Sequence, residues 1–368
     1  MNTRHNIFFA ASQNMSEVED SSINLVVTSP PYPMIEMWDD AFSQQNPQIA
    51  IELNKENSGE AFELMHKELD KIWKECFRVI KDGGFLCINI GDATRTIKGN
   101  FQLYNSHSRI TSFCNTLGFS NLPNIIWRKQ TNAPNKFMGS GMLPNGAYVT
   151  LEHEYILIFR KGGKRLYKTD YDKNKRRQSS FFWEERNIWF SDLWELKGIK
   201  QKINSDKSRE RSAAYPLELP YRLINMYSQC GDTVLDPFVG LGTTTLAAAL
   251  LGRNSIGFEI DPSLRNIIEN NILSFGIDTM NNSIISRYKR HLDFIEERVK
   301  THGNTKYHNN YLNCDVITAQ ELDLELHFIT SFDKVAETPL SFLCEYEEQS
   351  QMNNPPEPNT LFYRSGTL

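Results

Sequence analysis

The feature that most restricts the fold of this chain is a strand, a turn, a helix and a second strand in immediate succession between residues 233 and 259. Residues 233–235 predict a short buried strand, residues 244–251 an alanine- and leucine-rich helix, and residues 255–259 the next strand. Strands that alternate with helices build parallel sheets covered on both faces. We therefore expect an α/β fold with a mostly parallel, doubly wound sheet.

Similar patterns occur on both sides of this unit. Buried strands are predicted over residues 23–27, 85–90, 124–128 and 154–159, and helices over residues 61–80, 108–117, 217–228 and 284–300. Residues 161–211 are polar, basic and rich in tryptophan, and they show no clean helical or strand period. We interpret that segment as an insertion into the α/β domain.

The turn after the first strand of the 233–259 unit has the chemistry of a cofactor site. Gly240 and Gly242 allow a ligand to approach the backbone closely, although the glycines alone fit a simple tight turn equally well. Asp236 ends one strand and Glu259 ends the next, at the spacing where an acidic residue accepts ribose hydroxyls. The third glycine of the dinucleotide fingerprint is missing, so an adenosine-type cofactor without a pyrophosphate is favoured. S-adenosylmethionine fits that description.

A second loop with unusual chemistry follows the predicted strand 23–27. It reads Thr28-Ser29-Pro30-Pro31-Tyr32. An exocyclic amino group of a nucleic-acid base is a poor nucleophile, because its lone pair is delocalised into the ring. The Ser29 hydroxyl and the Pro30 carbonyl can accept the two amino hydrogens, and Tyr32 can stack on an extruded base. The prolines hold these acceptors in place.

As a pair, the two loops resemble the motifs of the DNA amino-methyltransferases. Residues 28–32 are similar to the catalytic motif of that family and residues 236–243 to its cofactor motif, with further similarity at residues 85–92, 125–129 and 152–157. The resemblance covers most of residues 20–275. The catalytic motif precedes the cofactor motif, an order that resembles the β class, in which the target recognition region lies between the two.

The resemblance implies a Rossmann-like methyltransferase fold that depends on S-adenosylmethionine, with an antiparallel strand in the sheet. It implies that the methyl group goes to an exocyclic amino group in duplex DNA. The catalytic residues expected from it are Ser29, Pro30, Pro31 and Tyr32. The cofactor-binding residues expected from it are Asp236, Pro237, Phe238, Gly240, Gly242, Thr243 and Glu259. One position departs from the family pattern, since Tyr215-Pro216 stands where a His-Pro element is common, and this leaves its contact with the methionine end of the cofactor open.

The target base is expected to be cytosine, methylated on its exocyclic nitrogen. Within the family, Ser29 stands where serine or threonine accompanies cytosine and aspartate or asparagine accompanies adenine; the rule has exceptions, so adenine stays open. Methylation at carbon 5 needs a cysteine nucleophile after a proline, and none of the six cysteines follows a proline. A catalytically idle DNA-binding module is the alternative of a different class.

The charge of the chain is unevenly distributed. The formal net charge is −5, but residues 161–211 hold 15 basic and 8 acidic residues, so the rest of the chain sums to −12. Basic runs are most often solvated faces, yet a basic insertion between two catalytic motifs suits a phosphate backbone. We expect Lys173, Lys175, Arg176 and Arg177 to contact the backbone of double-stranded DNA.

The expected organisation has four parts. Residues 1–160 form the catalytic half of the methyltransferase domain, 161–211 a target recognition insertion, 212–275 the cofactor-binding half and 276–368 a C-terminal extension whose role is open. The sequence shows no bilayer-length apolar run and no signal peptide, which favours the cytoplasm. The scattered cysteines and histidines suggest no metal site. A cognate restriction endonuclease is a possible partner, and the oligomeric state is open.

Overall fold

A computed structural model describes residues 1–129, 143–197 and 215–347, together with the backbone of residues 138–139. The strands found there are β1 (Asn2–Phe8), β2 (Ile23–Thr28), β3 (Ile80–Ile90), β4 (Ala93–Ile97), β5 (Asn100–Tyr104), β6 (Phe119–Arg128), β7 (Met138–Gly139), β8 (Ala147–Tyr148), β9 (His153–Lys161), β10 (Leu193–Glu195), β11 (Thr233–Asp236), β12 (Asn254–Phe258), β13 (Tyr307–Asn309), β14 (Cys314–Val316), β15 (Ile329–Ala336) and β16 (Leu340–Tyr346).

The helices of the same described ranges are α1 (Asp39–Gln45), α2 (Gln48–Asn54), α3 (Ser58–Val79), α4 (Ser106–Thr116), α5 (Asp170–Gln178), α6 (Trp183–Trp189), α7 (Glu218–Tyr227), α8 (Thr243–Leu250), α9 (Arg265–Ser274) and α10 (Ile277–His302). Within the described residues, no helix is both long enough and apolar enough to cross a membrane.

Ten strands form one sheet, in the order β10-β6-β9-β3-β2-β11-β12-β1-β16-β15. The five central strands β3, β2, β11, β12 and β1 are all parallel to their neighbours in that group. Strand β9 runs antiparallel between β6 and β3, and β16 runs antiparallel between β1 and β15. The expected mostly parallel sheet with an antiparallel strand is confirmed.

Helices cover both faces of the sheet, as a parallel sheet requires. Strand β2 is buried along its whole length. Its residues Leu25 and Val27 belong to the core under α7, α8 and α9, whereas Val26 belongs to the core under α3 and α4. Both faces of this strand are therefore apolar, which explains why it reads as a continuous hydrophobic run in the sequence.

Strand β1 was not predicted, because its buried side is partly polar. Thr3 and His5 point into the protein, where His5 hydrogen-bonds Thr3 (3.0 Å) and Ser255 (2.8 Å). Burial lowers the pKa of His5 to about 3, so the ring is neutral in the folded protein. Hydrogen bonding between polar side chains replaces the apolar alternation on which the sequence prediction relied.

The insertion and the C-terminal extension both reach the central sheet and pack against each other. The absence of regular structure expected throughout residues 161–211 is wrong for α5, α6 and β10, and β10 is one edge strand of the sheet. Arg287 of α10 forms a bidentate ion pair with Glu185 of α6 (2.7 and 2.8 Å), and the fully buried His291 hydrogen-bonds Glu184 at 2.8 Å. These contacts join the insertion to the extension through buried charges.

Candidate active site

Two loops leave the same edge of the sheet side by side. Strands β2 and β11 are parallel neighbours, so the residues that follow them, Ser29 and Pro237, emerge at the carboxyl ends of both strands. The Thr28 hydroxyl donates a 2.7 Å hydrogen bond to the Asp236 carboxylate and ties the two strand ends together. The predicted catalytic and cofactor motifs, about 200 residues apart in sequence, therefore form one site at the edge where ligands bind in open α/β sheets.

Asp236 is held by donors from four parts of the chain. Its carboxylate accepts hydrogen bonds from Thr28 (2.7 Å), the Phe238 amide (3.0 Å), Thr244 (2.6 Å) and Tyr215 (3.3 Å). Burial raises the pKa of Asp236, and these four donors oppose that rise. Both carboxylate oxygens accept hydrogen bonds from the protein, so Asp236 links the two loops to each other and to the start of α8.

Gly240 and Gly242 of the turn are glycines for different structural reasons. Gly240 has a φ of 56°, and its amide donates to Glu259 at 3.1 Å. Gly242 has a φ of 85° and caps α8, and a Cβ atom at this position would lie 3.1 Å from Ile272. Gly240 faces the cavity described next, whereas Gly242 is required by the packing of α8 on α9.

A cavity of about 550 Å³ opens between the two loops. Of the residues predicted for the site, those that line it are Ser29, Pro30, Pro31, Pro237, Phe238, Gly240, Thr243 and Glu259. The predicted residues Tyr32, Asp236 and Gly242 lie beside it rather than on its wall. Three residues that were not predicted for the cofactor also line the cavity: Tyr215, and Trp38 and Gln45 at either end of α1.

The cavity fits S-adenosylmethionine in size and chemistry. Its volume lies within the range of roughly 300–1,000 Å³ typical of small-molecule sites. Phe238, Phe258 and Ile260 supply apolar walls suited to an adenine ring, and Glu259 directly follows β12, where an acidic residue accepts ribose hydroxyls. Asp261 adds a second carboxylate to the lining, which suits a cofactor with a cationic sulfonium and a cationic amino group.

Ser29 lies at the junction of this cavity and a buried polar cluster. The Ser29 hydroxyl is 3.2 Å from the Tyr32 hydroxyl, which donates to Glu154 at 2.8 Å. The Asn89 amide donates to Tyr32 (2.9 Å) and to Glu154 (2.7 Å), and Lys129 forms an ion pair with Glu154. Burial raises the pKa of Tyr32 well above its usual value, and the Glu154 charge adds to this, so Tyr32 keeps its proton at neutral pH.

Asn89 and Glu154 were missed by the sequence analysis. Both lie on strands next to the catalytic loop, Asn89 on β3 and Glu154 on β9, and both are buried among apolar neighbours. A buried amide or carboxylate in an otherwise apolar strand was the signal that could have identified them. Gly91 was a further signal, since a Cβ atom there would lie 2.9 Å from the Tyr32 ring.

The basic cluster predicted to contact DNA lies far from this site. Lys173, Lys175, Arg176 and Arg177 are on α5, and the Lys175 amine lies beside Gly231, just before the start of β11. This is the amino edge of the sheet, opposite the catalytic loop. The structure therefore does not bring the four side chains together with the other predicted site residues, and their contact with DNA stays a prediction.

Comparisons with known proteins agree with this geometry. A family model described as DNA methylase, for the N6 and N4 methyltransferases, matches residues 23–270. The chain is 50% identical over 360 residues to the Type II methyltransferase M.MthZI of Methanothermobacter thermautotrophicus, covering 96% of this chain and all of that protein. It is also 50% identical over 281 residues to the Type II methyltransferase M.MjaI of Methanocaldococcus jannaschii, covering 73% of this chain and 91% of that protein.

A solved structure extends the agreement to the fold. A putative DNA modification methylase from Thermus thermophilus, crystallised with S-adenosyl-L-methionine, superposes with a TM-score of 0.57 at 31% identity, covering 73% of this chain and 93% of that one. The family model covers well over half of the chain, including both motif loops. The chain therefore belongs to the S-adenosylmethionine-dependent DNA amino-methyltransferases of the β class.

Proposed function

We propose that this protein methylates the exocyclic amino group of cytosine within a specific sequence of duplex DNA. The observation that carries the proposal is the position of Ser29, whose hydroxyl lies at the wall of the cofactor cavity and at the end of the buried Tyr32 cluster. A base extruded from the duplex reaches this point with its amino group between Ser29 and the cavity.

The chain's own residues make the amino nitrogen a better nucleophile. S-adenosylmethionine supplies an electrophilic methyl group on a sulfonium. The Ser29 hydroxyl oxygen and the Pro30 carbonyl accept the two amino hydrogens, which turns the nitrogen lone pair toward the cavity. Tyr32 offers its ring as a stacking surface, and Pro31 limits the motion of the loop. The residues proposed to hold the cofactor are Asp236, Pro237, Phe238, Gly240, Gly242, Thr243 and Glu259, with Asp236 and Gly242 acting through the shape of the turn.

Cytosine is favoured over adenine by the identity of residue 29. Methyl transfer from labelled cofactor to synthetic duplexes of varied sequence, followed by nucleoside analysis, tests the choice. N4-methylcytosine is the expected product. Methylated adenine as the only product would overturn the cytosine proposal, and no transfer to any duplex would favour the idle DNA-binding module instead.

We further propose that residues 161–211 contribute to target recognition, inserted between a catalytic half (1–160) and a cofactor half (212–275), and that residues 276–368 form an extension. The described part of this extension packs on the insertion. The ion pair between Arg287 and Glu185 supports the last point. Amide hydrogen exchange with and without target duplex tests the division. Protection that spares the whole of 161–211 would contradict it.

A cognate restriction endonuclease is the proposed biological partner, in line with the Type II names of the two archaeal relatives. DNA from cells that express the protein, sequenced by a method that detects methylated bases directly, would give the recognised sequence. The same DNA is expected to resist an endonuclease that cuts this sequence and to remain sensitive to others.

A further inference from the structure

Three oxygen atoms form a continuous hydrogen-bonded path from the catalytic loop into the protein. The path runs from Ser29 Oγ to Tyr32 Oη (3.2 Å) and from Tyr32 Oη to Glu154 Oε2 (2.8 Å). Glu154 is 8% exposed, although it is a carboxylate. The first oxygen belongs to the proposed acceptor of the target amino group, and the last belongs to a base held out of solvent.

The donors around this path fix its direction. Asn89 Nδ2 donates to Tyr32 Oη (2.9 Å) and to Glu154 Oε2 (2.7 Å). Its carbonyl oxygen would be repelled by the carboxylate, so the amide nitrogen must face Glu154. Because Tyr32 Oη already accepts from Asn89, its single proton points to Glu154. The Ser29 proton is then free to point to Tyr32.

The proposed reaction creates a proton that must leave this enclosed site. The amino nitrogen becomes positively charged as it bonds to the methyl carbon, and it returns to neutrality only by losing a hydrogen. We infer that Ser29, Tyr32 and Glu154 form a relay that carries this proton from the base to the Glu154 carboxylate. The inference deepens the proposed function and rests on it.

The bonds of the step balance. The carbon–sulfur bond breaks and its electron pair stays on sulfur, while the nitrogen lone pair forms the new bond to carbon. As this bond forms, one N–H bond breaks and its electrons return to the nitrogen. The proton passes to Ser29 Oγ as the Ser29 proton moves to Tyr32 Oη and the Tyr32 proton moves to Glu154 Oε2. Glu154 ends the step neutral and releases the proton to solvent once the DNA has left.

Lys129 and the state of Tyr32 suit this role. The Lys129 amine pairs with Glu154 Oε1, the oxygen that Tyr32 does not use, and so leaves Oε2 as the proton acceptor. The raised pKa of Tyr32 keeps the phenol neutral, so it passes a proton on and does not store a charge. In this arrangement Tyr32 transfers the proton and Glu154 is the final acceptor, as in other pairs of a proton-transferring group and a general base.

The test compares single-turnover methyl transfer by the wild type, Tyr32→Phe, Glu154→Gln and the double variant. Tyr32→Phe keeps the ring, and Glu154→Gln keeps the shape of the side chain. Each single variant is expected to slow methyl transfer by about 10-fold or more. A base that acts directly on the substrate contributes at least about 100-fold, and we expect less from one that acts through Tyr32 and Ser29. The double variant should be no slower than the slower single variant, because the residues act as a unit.

Two further measurements separate a relay from a structural role. Fluorescence of 2-aminopurine at the target position reports base extrusion, and calorimetry gives the cofactor dissociation constant; both should be unchanged in the variants. The wild-type rate should fall in D₂O, and this fall should be lost in Tyr32→Phe. Glu152→Gln, which changes a half-exposed carboxylate next to the same strand, is the matched control and should behave as wild type.

Glu154→Gln leaves Lys129 without its partner, so Glu154→Gln is also made together with Lys129→Met. The relay predicts the same slow transfer in both proteins. Transfer within twofold of wild type in Glu154→Gln, or a loss that follows lost base extrusion, would overturn the relay. Failure of the proposed function is distinct, because the wild type itself would then methylate no cytosine.

Discussion

The polar residues of the candidate site and the charged residues of α5 lie at opposite edges of the central sheet. At the carboxyl edge, Asp236 and Glu154 are buried and each is hydrogen-bonded to several other side chains. At the amino edge, the charges of α5 are exposed, and Lys173 pairs with the even more exposed Asp170 at 3.0 Å. The candidate active site therefore lies at the carboxyl edge, away from the exposed charges of α5.

Charge density along the sequence therefore does not locate the site. Basic residues cluster in 161–211, but five of the fifteen fall in residues 198–214, outside the described part of the chain, and those of α5 face the amino edge. Burial of a charged or polar side chain costs free energy unless it is well paired, so a buried cluster marks a function more reliably than an exposed one. Variants at matched positions on the two edges can test this contrast.

The largest effect is expected from one of the two serines that flank β2. Ser29→Ala removes the proposed acceptor for the target amino group, and methyl transfer should fall by about 10²–10³-fold, the usual cost of one lost hydrogen-bonding group at a transition state. Ser22→Ala changes a serine at the other end of the same strand, whose hydroxyl donates to the Glu19 carbonyl, and should leave the rate unchanged. Single-turnover transfer measures both.

The cofactor dissociation constant is the control for this pair. It should stay within twofold of wild type in both variants, because Ser29 acts on the base. Equal rates for the two variants would show that the carboxyl edge has no special role in catalysis.

A second pair of variants compares the two ends of β11. Asp236→Asn removes an acceptor for Thr244 and Tyr215, and the unpaired buried donors should lower the free energy of unfolding by about 2–6 kcal/mol, at about 1–3 kcal/mol for each group. The same change should weaken cofactor binding, since the turn that lines the cavity is anchored there. Urea unfolding and calorimetric titration of cofactor provide the two measurements.

Asp232→Asn is the counterpart at the amino edge. Asp232 is also buried and pairs with Arg165 at 2.6 and 3.1 Å, so this variant should lose stability as well. Its cofactor affinity should remain that of the wild type. If Asp232→Asn weakened cofactor binding as much as Asp236→Asn, the effect of Asp236 would be general destabilisation only.

Tyr215→Phe is expected to have a smaller effect than either aspartate change. It removes one hydroxyl that contacts Asp236 and Thr244, and the free energy of unfolding should fall by about 1 kcal/mol, the net value of a single hydrogen bond. Phenylalanine keeps the ring on the cavity wall. Thermal unfolding with and without cofactor measures the change, and Tyr221→Phe on α7 is the matched control.

The sequence predicted the fold correctly where apolar residues follow the period of a strand or helix and the order of the strands places the loops. The predicted strands 23–27, 85–90 and 233–235 correspond to β2, to the second half of β3 and to β11, and the two motif loops follow from strand order alone. Strand β1 was missed because Thr3 and His5 satisfy each other inside the protein, which no local pattern reports. Short elements such as α6 and β10 were missed because their stability comes from tertiary contacts.

Only part of the candidate site could be predicted from the sequence, for a related reason. Loop residues such as Ser29 carry chemistry in their identity, but Asn89 and Glu154 gain theirs from strand pairing, since β9 and β3 bring them together from 65 residues apart. Burial decides their role, and burial depends on how the sheet is assembled. The same limit applies to α5, whose charges were visible while its place at the opposite edge was not.

The smallest effect is expected from the cluster that first suggested DNA. Lys173, Lys175, Arg176 and Arg177 lie beyond the amino end of β11, whereas the proposed site for an extruded base lies at the carboxyl end. The six residues of β2 alone span about 20 Å at 3.3 Å per residue, close to the width of a duplex. We therefore expect that a short duplex docked over Ser29 does not reach α5. Alanine at all four positions should leave the affinity for a short target duplex within about twofold.

The dependence of binding on salt decides this case. Each lost phosphate contact reduces the slope of log affinity against log salt by about 0.9. We expect an unchanged slope for a duplex just long enough to cover the site, and Lys129→Met, at the carboxyl edge, serves as the comparison. A slope reduced by about 3.6 in the α5 variant would place its four cations on the DNA backbone after all. The carboxyl edge would then be the site of chemistry alone, and binding would extend around the protein to the opposite edge.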